Sequence, residues 1–260
     1  MTAAITDTAT IAAPTEMPAA PLDDATLRHR MRWAGGLYLA LFFLGPFAFF
    51  YVPDELIVDG DSAATTANIA ADTGLFRAGM VAETLIIAIE MVLAGLLYGI
   101  FRSTSRWGAL ASSFARVGEA FVQTVNVLIS GAVVVAVTGT GLTAFTDLER
   151  ADLVAWLTDT YAFGVMLWGV LFGLHLVMLG LLVRRSGFLP AWLGVLLVIA
   201  GSGYLAQSWG HMIAPSADEV LAAVVIVLAI PGELALTWLL LRARPRKVSD
   251  SPPDAQHVGV

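Results

Sequence analysis

The sequence predicts an all-α fold, a polytopic bundle of six transmembrane helices. Three observations predict this fold: 58% of the 260 residues are apolar and only 13% are charged, six long apolar runs follow one another, and Lys and Arg gather on one side of these runs. In a soluble domain about half of the residues are apolar and about a quarter are charged. We therefore expect a multi-pass membrane protein that is in contact with the lipid bilayer.

Each apolar run is long enough to cross a membrane, because a hydrocarbon core of about 30 Å requires roughly 20 residues of helix. The third run exceeds this length and is expected to tilt or to project from the bilayer. Pro46 and Pro231 lie inside runs and are expected to kink their helices. The predicted spans are, in chain order, about 33–52, 75–101, 108–137, 161–183, 189–209 and 219–241.

Two segments between the spans are expected to form further helices. In the loop 53–74, Asp61 or Ser62 is placed to cap a short helix outside the membrane. The loop 138–160 contains LERADLVAWL, whose Leu and Trp spacing suits an amphipathic helix lying on the membrane surface. A solvated loop helix is the alternative for both segments.

The two ends of the chain have a different composition from the membrane domain, which is predicted to span residues 28–247. Residues 1–27 are rich in Ala, Thr, Pro and acidic residues and contain no Lys or Arg, which is typical of a disordered tail and not of a signal peptide. Residues 248–260 are predicted to form a second disordered tail by the same reasoning. Both tails are predicted to be cytoplasmic.

The orientation follows from the distribution of charge, since basic residues collect in short cytoplasmic segments. Eleven of the fourteen Lys and Arg residues fall on the side of the termini, and eleven acidic residues share the opposite side with the single Arg150. This pattern predicts a cell-membrane protein with both termini in the cytoplasm. The eleven basic residues are Arg28, Arg30, Arg32, Arg102, Arg106, Arg184, Arg185, Arg242, Arg244, Arg246 and Lys247.

Several classes of function lack support in the sequence. The net charge of −7 argues against a nucleic-acid partner, and the absence of Cys excludes disulfides and thiolate sites. Motifs of the common hydrolases and nucleotide-binding enzymes are missing. With four His residues, two of them in the tails, we predict no metal site and no cofactor. The carboxylates of Glu90, Glu119 and Glu233 suit protons or Mg²⁺, but the DxxD spacing typical of a diphosphate–Mg²⁺ site is missing.

Ionisable side chains inside the spans are the main candidates for a functional site, because each costs several kcal/mol near the centre of a bilayer. At a rise of about 1.5 Å per residue, Glu90, His175 and Glu233 lie roughly 21–22 Å from the outer ends of their spans. Glu119 lies roughly 16 Å from the inner end of its span. Four groups on four helices thus share one depth, in the cytoplasmic half of the membrane.

Helical spacing also places these groups on common faces. Glu83 and Glu90 are seven residues apart, and positions 116, 119, 123 and 126 form one polar stripe on the third span. The stripe predicts that Arg116 pairs with one of the carboxylates. Snorkelling is the alternative for Arg77, Arg116 and Glu83, and a hydrogen bond to a neighbouring helix is the alternative for His175. The predicted ligand or proton site comprises Glu90, Arg116, Glu119, His175, Glu233, Arg77, Asn126 and Glu83.

Five stretches carry a resemblance to a known family: LYLALFFLGPFAFFYVPDELIVDGDSAATTANIAADTGLFRAG, EMVLAGLLYGIFR, SSFARVGEAFVQTVNVL, FGLHLVMLGLLVRRSGFLPAWLGVLLVIAGSGYL and PGELALTWLLL. Over about residues 33–241 the chain resembles a family of uncharacterised bacterial six-span membrane proteins, a domain of unknown function. The resemblance implies that the recurrent polar positions of the family are Arg77, Glu90, Arg116, Glu119, Asn126, His175 and Glu233. It implies no activity.

Three functions stay open at this point. The first is a protein that binds or moves a small amphipathic ligand or protons through the polar cluster. The second is an intramembrane enzyme that uses a carboxylate as general acid or base on a lipid or isoprenoid. The third is a structural or partner-binding bundle. Aromatic residues that could line a pocket in the enzyme are Phe114, Phe121, Tyr161, Trp168, Phe172 and Tyr204.

Overall fold

The structure is a computed structural model that describes residues 22–139, 141–214, 216 and 218–243. These residues form eight α-helices and one π-helical segment and contain no strand, which confirms the predicted all-α class. The helices are α1 Asp24–Pro46, a π-helical segment Phe47–Tyr51, α2 Val52–Leu56, α3 Ser62–Ala71, α4 Thr73–Phe101, α5 Arg106–Thr138, α6 Asp147–Ser186, α7 Ala191–Ile213 and α8 Asp218–Leu241.

Six helices of the described chain are long and apolar enough to cross a membrane, as predicted. One of them combines α1, the π-helical segment and α2, and the others are α4 to α8. They pack in a closed ring, in the order α1, α4, α5, α6, α7, α8 and back to α1. Each helix therefore turns one side towards the inside of the ring and another towards the surroundings.

The first helix begins earlier than the sequence indicated. It starts at Asp24, whereas the N-terminal tail was predicted to run to residue 27. Asp23 caps this start: its carboxylate accepts hydrogen bonds from the backbone N–H groups of Ala25 and Thr26 at 3.1 and 2.9 Å. These bonds, chiefly the one from Thr26, hold the pKa of Asp23 below its usual value. The rest of the predicted tail, residues 1–21, and the C-terminal tail 248–260 lie outside the described residues.

The helix α1 passes through Pro46 into a π-helical turn, Phe47–Tyr51, before α-helical geometry resumes at Val52. Proline lacks the N–H group that would continue the α-helical hydrogen bonds, so a local change of helical type at this point is expected. The predicted disturbance at Pro46 thus takes the form of a π-helical insertion.

The first of the two predicted loop helices is confirmed. Asp61 caps α3, and its carboxylate accepts a hydrogen bond from the N–H of Ala64 at 2.8 Å. Ile69 is fully buried and packs with Val52, Val133 and Val154. Through these contacts α3 covers one end of the ring.

The prediction of the second loop helix as a separate element is wrong. The segment that contains LERADLVAWL is the first part of α6, which runs without a break from Asp147 to Ser186. A capping box starts the helix, in which Glu149 accepts from the N–H of Thr146 at 2.8 Å, and no Gly or Pro follows until Gly164. A helix of 40 residues is about 60 Å long, so α6 extends well beyond a bilayer core of about 30 Å.

Helices α6 and α7 approach each other closely at two pairs of glycines. A Cβ atom on Gly173 would lie 2.7 Å from the carbonyl oxygen of Gly201, and one on Gly201 would lie 2.5 Å from the carbonyl oxygen of Gly173. Gly180 and Gly194 repeat this arrangement seven residues along each helix. Small residues permit such close backbone packing between membrane helices.

Of the three apolar clusters among the described residues, the two largest lie at different levels of the ring. The larger includes Met31, Leu97 and Leu193, and the smaller lies beside α3. Along α5, the first cluster ends at Ala109 and the second begins at Val133. The polar residues of α5 lie between these two positions.

Candidate functional site

The polar stripe of α5 faces the inside of the ring, as the helical spacing predicted. Arg116 and Glu119 have no exposed surface, and Gln123 and Asn126 are 1% exposed. On the opposite side of α5, Phe121 is 65% exposed. Arg116 therefore points into the ring and does not snorkel to the membrane surface.

Arg116 lies at the centre of a group of ionisable side chains from four helices. Its Nη1 atom is 3.6 Å from Oε1 of Glu119, one helical turn further along α5. Its electrostatic neighbours also include Glu90 of α4 and Glu233 of α8. On the side of α1, Arg116 donates a hydrogen bond of 3.5 Å to the hydroxyl of Tyr38, and its guanidinium lies 5.2 Å from the centre of that ring. These five residues are called the central cluster below.

The carboxylates of the central cluster differ in exposure. Glu119 is fully buried and Glu90 is 2% exposed, whereas Glu233 on α8 is only partly buried. The hydroxyl of Tyr204 donates a hydrogen bond of 3.3 Å to Oε1 of Glu233. Glu233 is thus the acidic member of the cluster closest to the surface of the ring.

His175 joins α6 to α5 beside the central cluster. Its Nδ1 atom lies 2.9 Å from the carbonyl oxygen and 3.0 Å from the hydroxyl of Ser112. A carbonyl oxygen only accepts, so Nδ1 carries the proton and Nε2 is an acceptor. The predicted hydrogen bond to a neighbouring helix is therefore present, and Arg116 is also an electrostatic neighbour of His175.

Glu83 forms a second polar centre, one that is separate from the central cluster. It is 5% exposed, and its Oε2 atom accepts a hydrogen bond of 2.6 Å from the side chain of Gln123. The hydroxyl of Tyr161 also reaches this carboxylate. A cavity of about 50 Å³ lies beside it, lined by Ser130, Thr158 and Tyr161 together with apolar residues of α2 and α4. Glu83 therefore does not reach solvent by snorkelling.

The two remaining predicted site residues have different positions. Asn126 lies in the buried stripe, and its amide occupies the space that a Cβ atom on Gly164 would need. Arg77 is exposed and takes no part in the buried cluster. Its place near the end of α4 matches the snorkelling alternative, since a residue near a helix end reaches the interface.

An aromatic wall runs along the cluster between the π-helical segment, α6 and α7. The rings of Trp168 and Phe172 stack at 4.8 Å, Phe172 meets Tyr204 edge-to-face at 4.9 Å, and Phe49 lies 6.4 Å from Trp168. The Trp168 indole approaches the Glu90 carboxylate without completing a hydrogen bond of regular geometry. Four of the six aromatic residues suggested for a pocket thus lie here or beside Glu83, whereas two point away from the ring. The exposed pair is Phe114 and Phe121.

Several buried polar atoms of this region have no hydrogen-bond partner among the residues that the structure describes. Native interiors satisfy nearly all such atoms, so a concentration of them marks a place where protons, water or another polar group is accommodated. The atoms are Oε2 of Glu90, Nε and Nη2 of Arg116, Oε1 and Oε2 of Glu119, Nδ2 of Asn126 and Nε2 of His175.

The residues do not converge as metal ligands. Across the described part of the chain, no group of three or more His, Asp or Glu side chains is arranged to hold a metal ion. The Mg²⁺ alternative for Glu90, Glu119 and Glu233 therefore gains no support from their geometry.

Sequence reasoning missed Tyr38 as a member of the central cluster and did not link Gln123 to Glu83. Tyr38 lies in a run of apolar residues whose composition does not show which side faces Arg116. Gln123 was recognised as part of the stripe, but only the packing of α4 on α5 shows that it binds Glu83.

A closed ring of six membrane-spanning helices with a buried set of charges defines an integral, multi-pass membrane protein. Residues 33–243 match the family described as Domain of unknown function (DUF4386), so the chain belongs to this family. It is also similar to an uncharacterized protein of Archaeoglobus fulgidus, with 53% identity over 36 residues. That alignment covers 14% of this chain and 22% of the archaeal protein. No solved structure matches the chain.

Proposed function

We propose that this membrane protein binds and releases protons at the central cluster. The observation that carries the proposal is the excess of acid: three carboxylates surround one guanidinium, and Glu90, Arg116 and Glu119 are almost completely removed from solvent. If all four groups were ionised, the site would carry a net charge of −2. Burying uncompensated charge costs several kcal/mol per ion, so charge balance favours one carboxylate paired with Arg116 and two that carry protons.

The positions of the three carboxylates in the central cluster are suited to proton exchange. Intramembrane carboxylates that face the interior of a bundle often form proton relays. Both oxygens of Glu119 lack a hydrogen-bond partner among the described residues, so this group can accept a proton without first losing a hydrogen bond. Glu233 provides a partly exposed member of the same group.

The experiment uses proteoliposomes that contain a pH-sensitive dye and are subjected to a pH gradient. We expect wild-type protein to pass protons and the double variant Glu90→Gln, Glu233→Gln to lose this flux, because Gln has nearly the same shape but cannot ionise. Glu55→Gln, which changes an exposed carboxylate, is the matched control and should keep the flux. Wild-type flux in the double variant would contradict the proposal and favour a structural role for the cluster.

A second candidate function is the binding of a small amphipathic cation. The observation that favours it is the position of Glu233 beside the aromatic wall: Trp168, Tyr204 and Glu233 are all only partly buried. Aromatic faces and a carboxylate together attract organic cations. The residues described provide no separate support for the intramembrane enzyme.

Tetraphenylphosphonium is a suitable probe for this second function, with binding measured by equilibrium dialysis against protein in lipid nanodiscs. We expect saturable binding to wild type and to Glu55→Gln, and its loss in Glu233→Gln. Tetraphenylborate has the same shape and the opposite charge and should not bind at the site. Equal uptake of both ions would show partition into lipid and contradict the function.

We also propose that the protein lies in the cell membrane with both termini in the cytoplasm. Six spans return the chain to the side on which it started. The basic residues at the α4–α5 connection and in the last turn of α6 then share that side with those at the start of α1, in agreement with the positive-inside rule.

A further inference from the structure

We propose that Glu83 and the cavity beside it form a proton-entry site that supplies the central cluster along the buried face of α5. This inference rests on the proposed proton exchange and names a second site for it. No part of the central cluster lines the cavity, which lies between α2, α4, α5 and α6. Glu83 is seven residues from Glu90 on α4, a separation of about 10 Å.

The cavity has the size and the chemistry to hold water. Its volume of about 50 Å³ compares with about 30 Å³ for a water molecule in the liquid, so one or two molecules fit. Buried water needs two to four polar partners. Glu83, Ser130, Thr158 and Tyr161 provide polar side chains in the wall.

A continuous row of polar side chains joins this cavity to the central cluster. Ser130, Asn126, Gln123 and Glu119 follow one another on α5 at intervals of three or four residues, so each is about one helical turn from the next. All four are at most 4% exposed. No apolar side chain therefore interrupts this face of α5 between the cavity and Glu119.

Gln123 is a positioning residue in this row. Its amide donates the 2.6 Å hydrogen bond that fixes the Glu83 carboxylate, and it lies one turn from Glu119. An amide does not itself relay a proton efficiently, so the transfer requires water between the two carboxyl groups. The unpartnered Nδ2 of Asn126 and the unpartnered oxygens of Glu119 are suitable partners for such water.

The proposed transfer moves one proton and changes no other bond. Glu83 is buried against the neutral side chains of Gln123 and Tyr161, so its resting form is the neutral carboxylic acid. It gives its proton through water to the Glu119 carboxylate, and the Glu83 carboxylate then takes a proton from a hydronium ion in the cavity, which leaves a water molecule there. No oxidant or other co-reactant is needed.

The test compares the rate of proton flux with the number of protons bound. Glu83→Gln should slow the flux into dye-loaded proteoliposomes roughly 100-fold, the order of effect expected from removing a positioned proton-transfer group. The equilibrium proton uptake of the purified protein after a pH step should fall by no more than the one proton that Glu83 itself binds, because the central cluster is unchanged. Glu55→Gln is the control for loss of an exposed carboxylate.

A second variant guards against a folding defect in Glu83→Gln. Ser130→Leu fills the cavity but keeps Glu83, and it should also slow the flux, whereas Ser202→Leu on an exposed position of α7 should not. Wild-type rates in both cavity variants would overturn the entry site. Absence of proton uptake and flux in wild type would instead overturn the proposed function itself.

Discussion

At the scale of the residue, the full burial of Arg116 is the most demanding feature of the molecule. A guanidinium is always charged in proteins and has five N–H donors. In this ring it is surrounded by Tyr38, Glu119 and two further carboxylates, and two of its three nitrogens lack a hydrogen-bond partner among the described residues. The guanidinium and the carboxylates around it therefore stabilise one another in the interior of the ring.

Replacement of Arg116 by Met should be strongly destabilising. The variant leaves the carboxylates without their buried counter-charge, a type of change that costs about 3–5 kcal/mol. The double variant Arg116→Met, Glu119→Gln should lose less stability than the sum of the two single variants, because it removes both members of the pair. The free energy of unfolding in mixed detergent micelles measures this coupling.

The control for this cycle is Arg185→Met, which changes an exposed arginine at the end of α6. We expect an effect within about 0.5 kcal/mol, as for most surface substitutions. Strictly additive losses for Arg116 and Glu119 would show that the two side chains do not stabilise one another.

The residues also show which part of the site the sequence could predict. The stripe on α5 follows from helical period alone, so its burial was predictable from positions 116, 119, 123 and 126. Contacts between helices were not, because the period of one helix does not determine which face of its neighbour it meets. Tyr38 was missed for this reason, and the exposed position of Arg77, apart from the cluster, did not follow from the sequence either.

At the scale of the element, the contact between α6 and α7 depends on backbone proximity. Gly173 and Gly201 face one another, and each occupies a place where a side chain would meet the carbonyl oxygen of the other. The positions of the glycines can be taken from the sequence, but which of them lie in an interface depends on how the helices pack. A Cβ atom on Gly95, for example, would have no neighbour within 4 Å.

The two kinds of glycine should respond to alanine in opposite directions. Gly201→Ala should lower the free energy of unfolding by about 1–3 kcal/mol, since the new methyl group overlaps backbone atoms of α6. Gly95→Ala should raise it by roughly 0.5–1 kcal/mol, because alanine favours the helix and meets no neighbour. Unfolding of both variants in the same detergent gives the comparison. Stabilisation by Gly201→Ala would contradict the close contact.

At the scale of the whole molecule, the closed ring explains how a few charged side chains can lie within the membrane-spanning part of the protein. Each spanning helix has two neighbours, so polar groups on the inner faces are shielded from lipid by the ring itself. Composition and span length predicted this class of fold correctly. The order of the helices around the ring was beyond the sequence, since it depends on which faces fit together.

The proposed orientation gives a prediction for the intact protein. The chain has no Cys, so single cysteines can be introduced without background. A membrane-impermeant maleimide should label Thr143→Cys in whole cells, whereas Ser103→Cys should react only after lysis. These positions lie in the α5–α6 and α4–α5 connections. The reverse pattern would invert the proposed orientation, and labelling of both in intact cells would contradict an odd number of crossings between them.

The unbroken length of α6 has a mechanical consequence. About half of its roughly 60 Å exceeds the thickness of a bilayer core, and the same rigid rod carries Trp168 and His175. Because no Gly or Pro interrupts the helix before Gly164, its projecting end has no joint near the membrane surface. A force applied to this end, by a bound protein or by a change in bilayer thickness, would therefore be transmitted along α6 and would move the aromatic wall relative to Glu90.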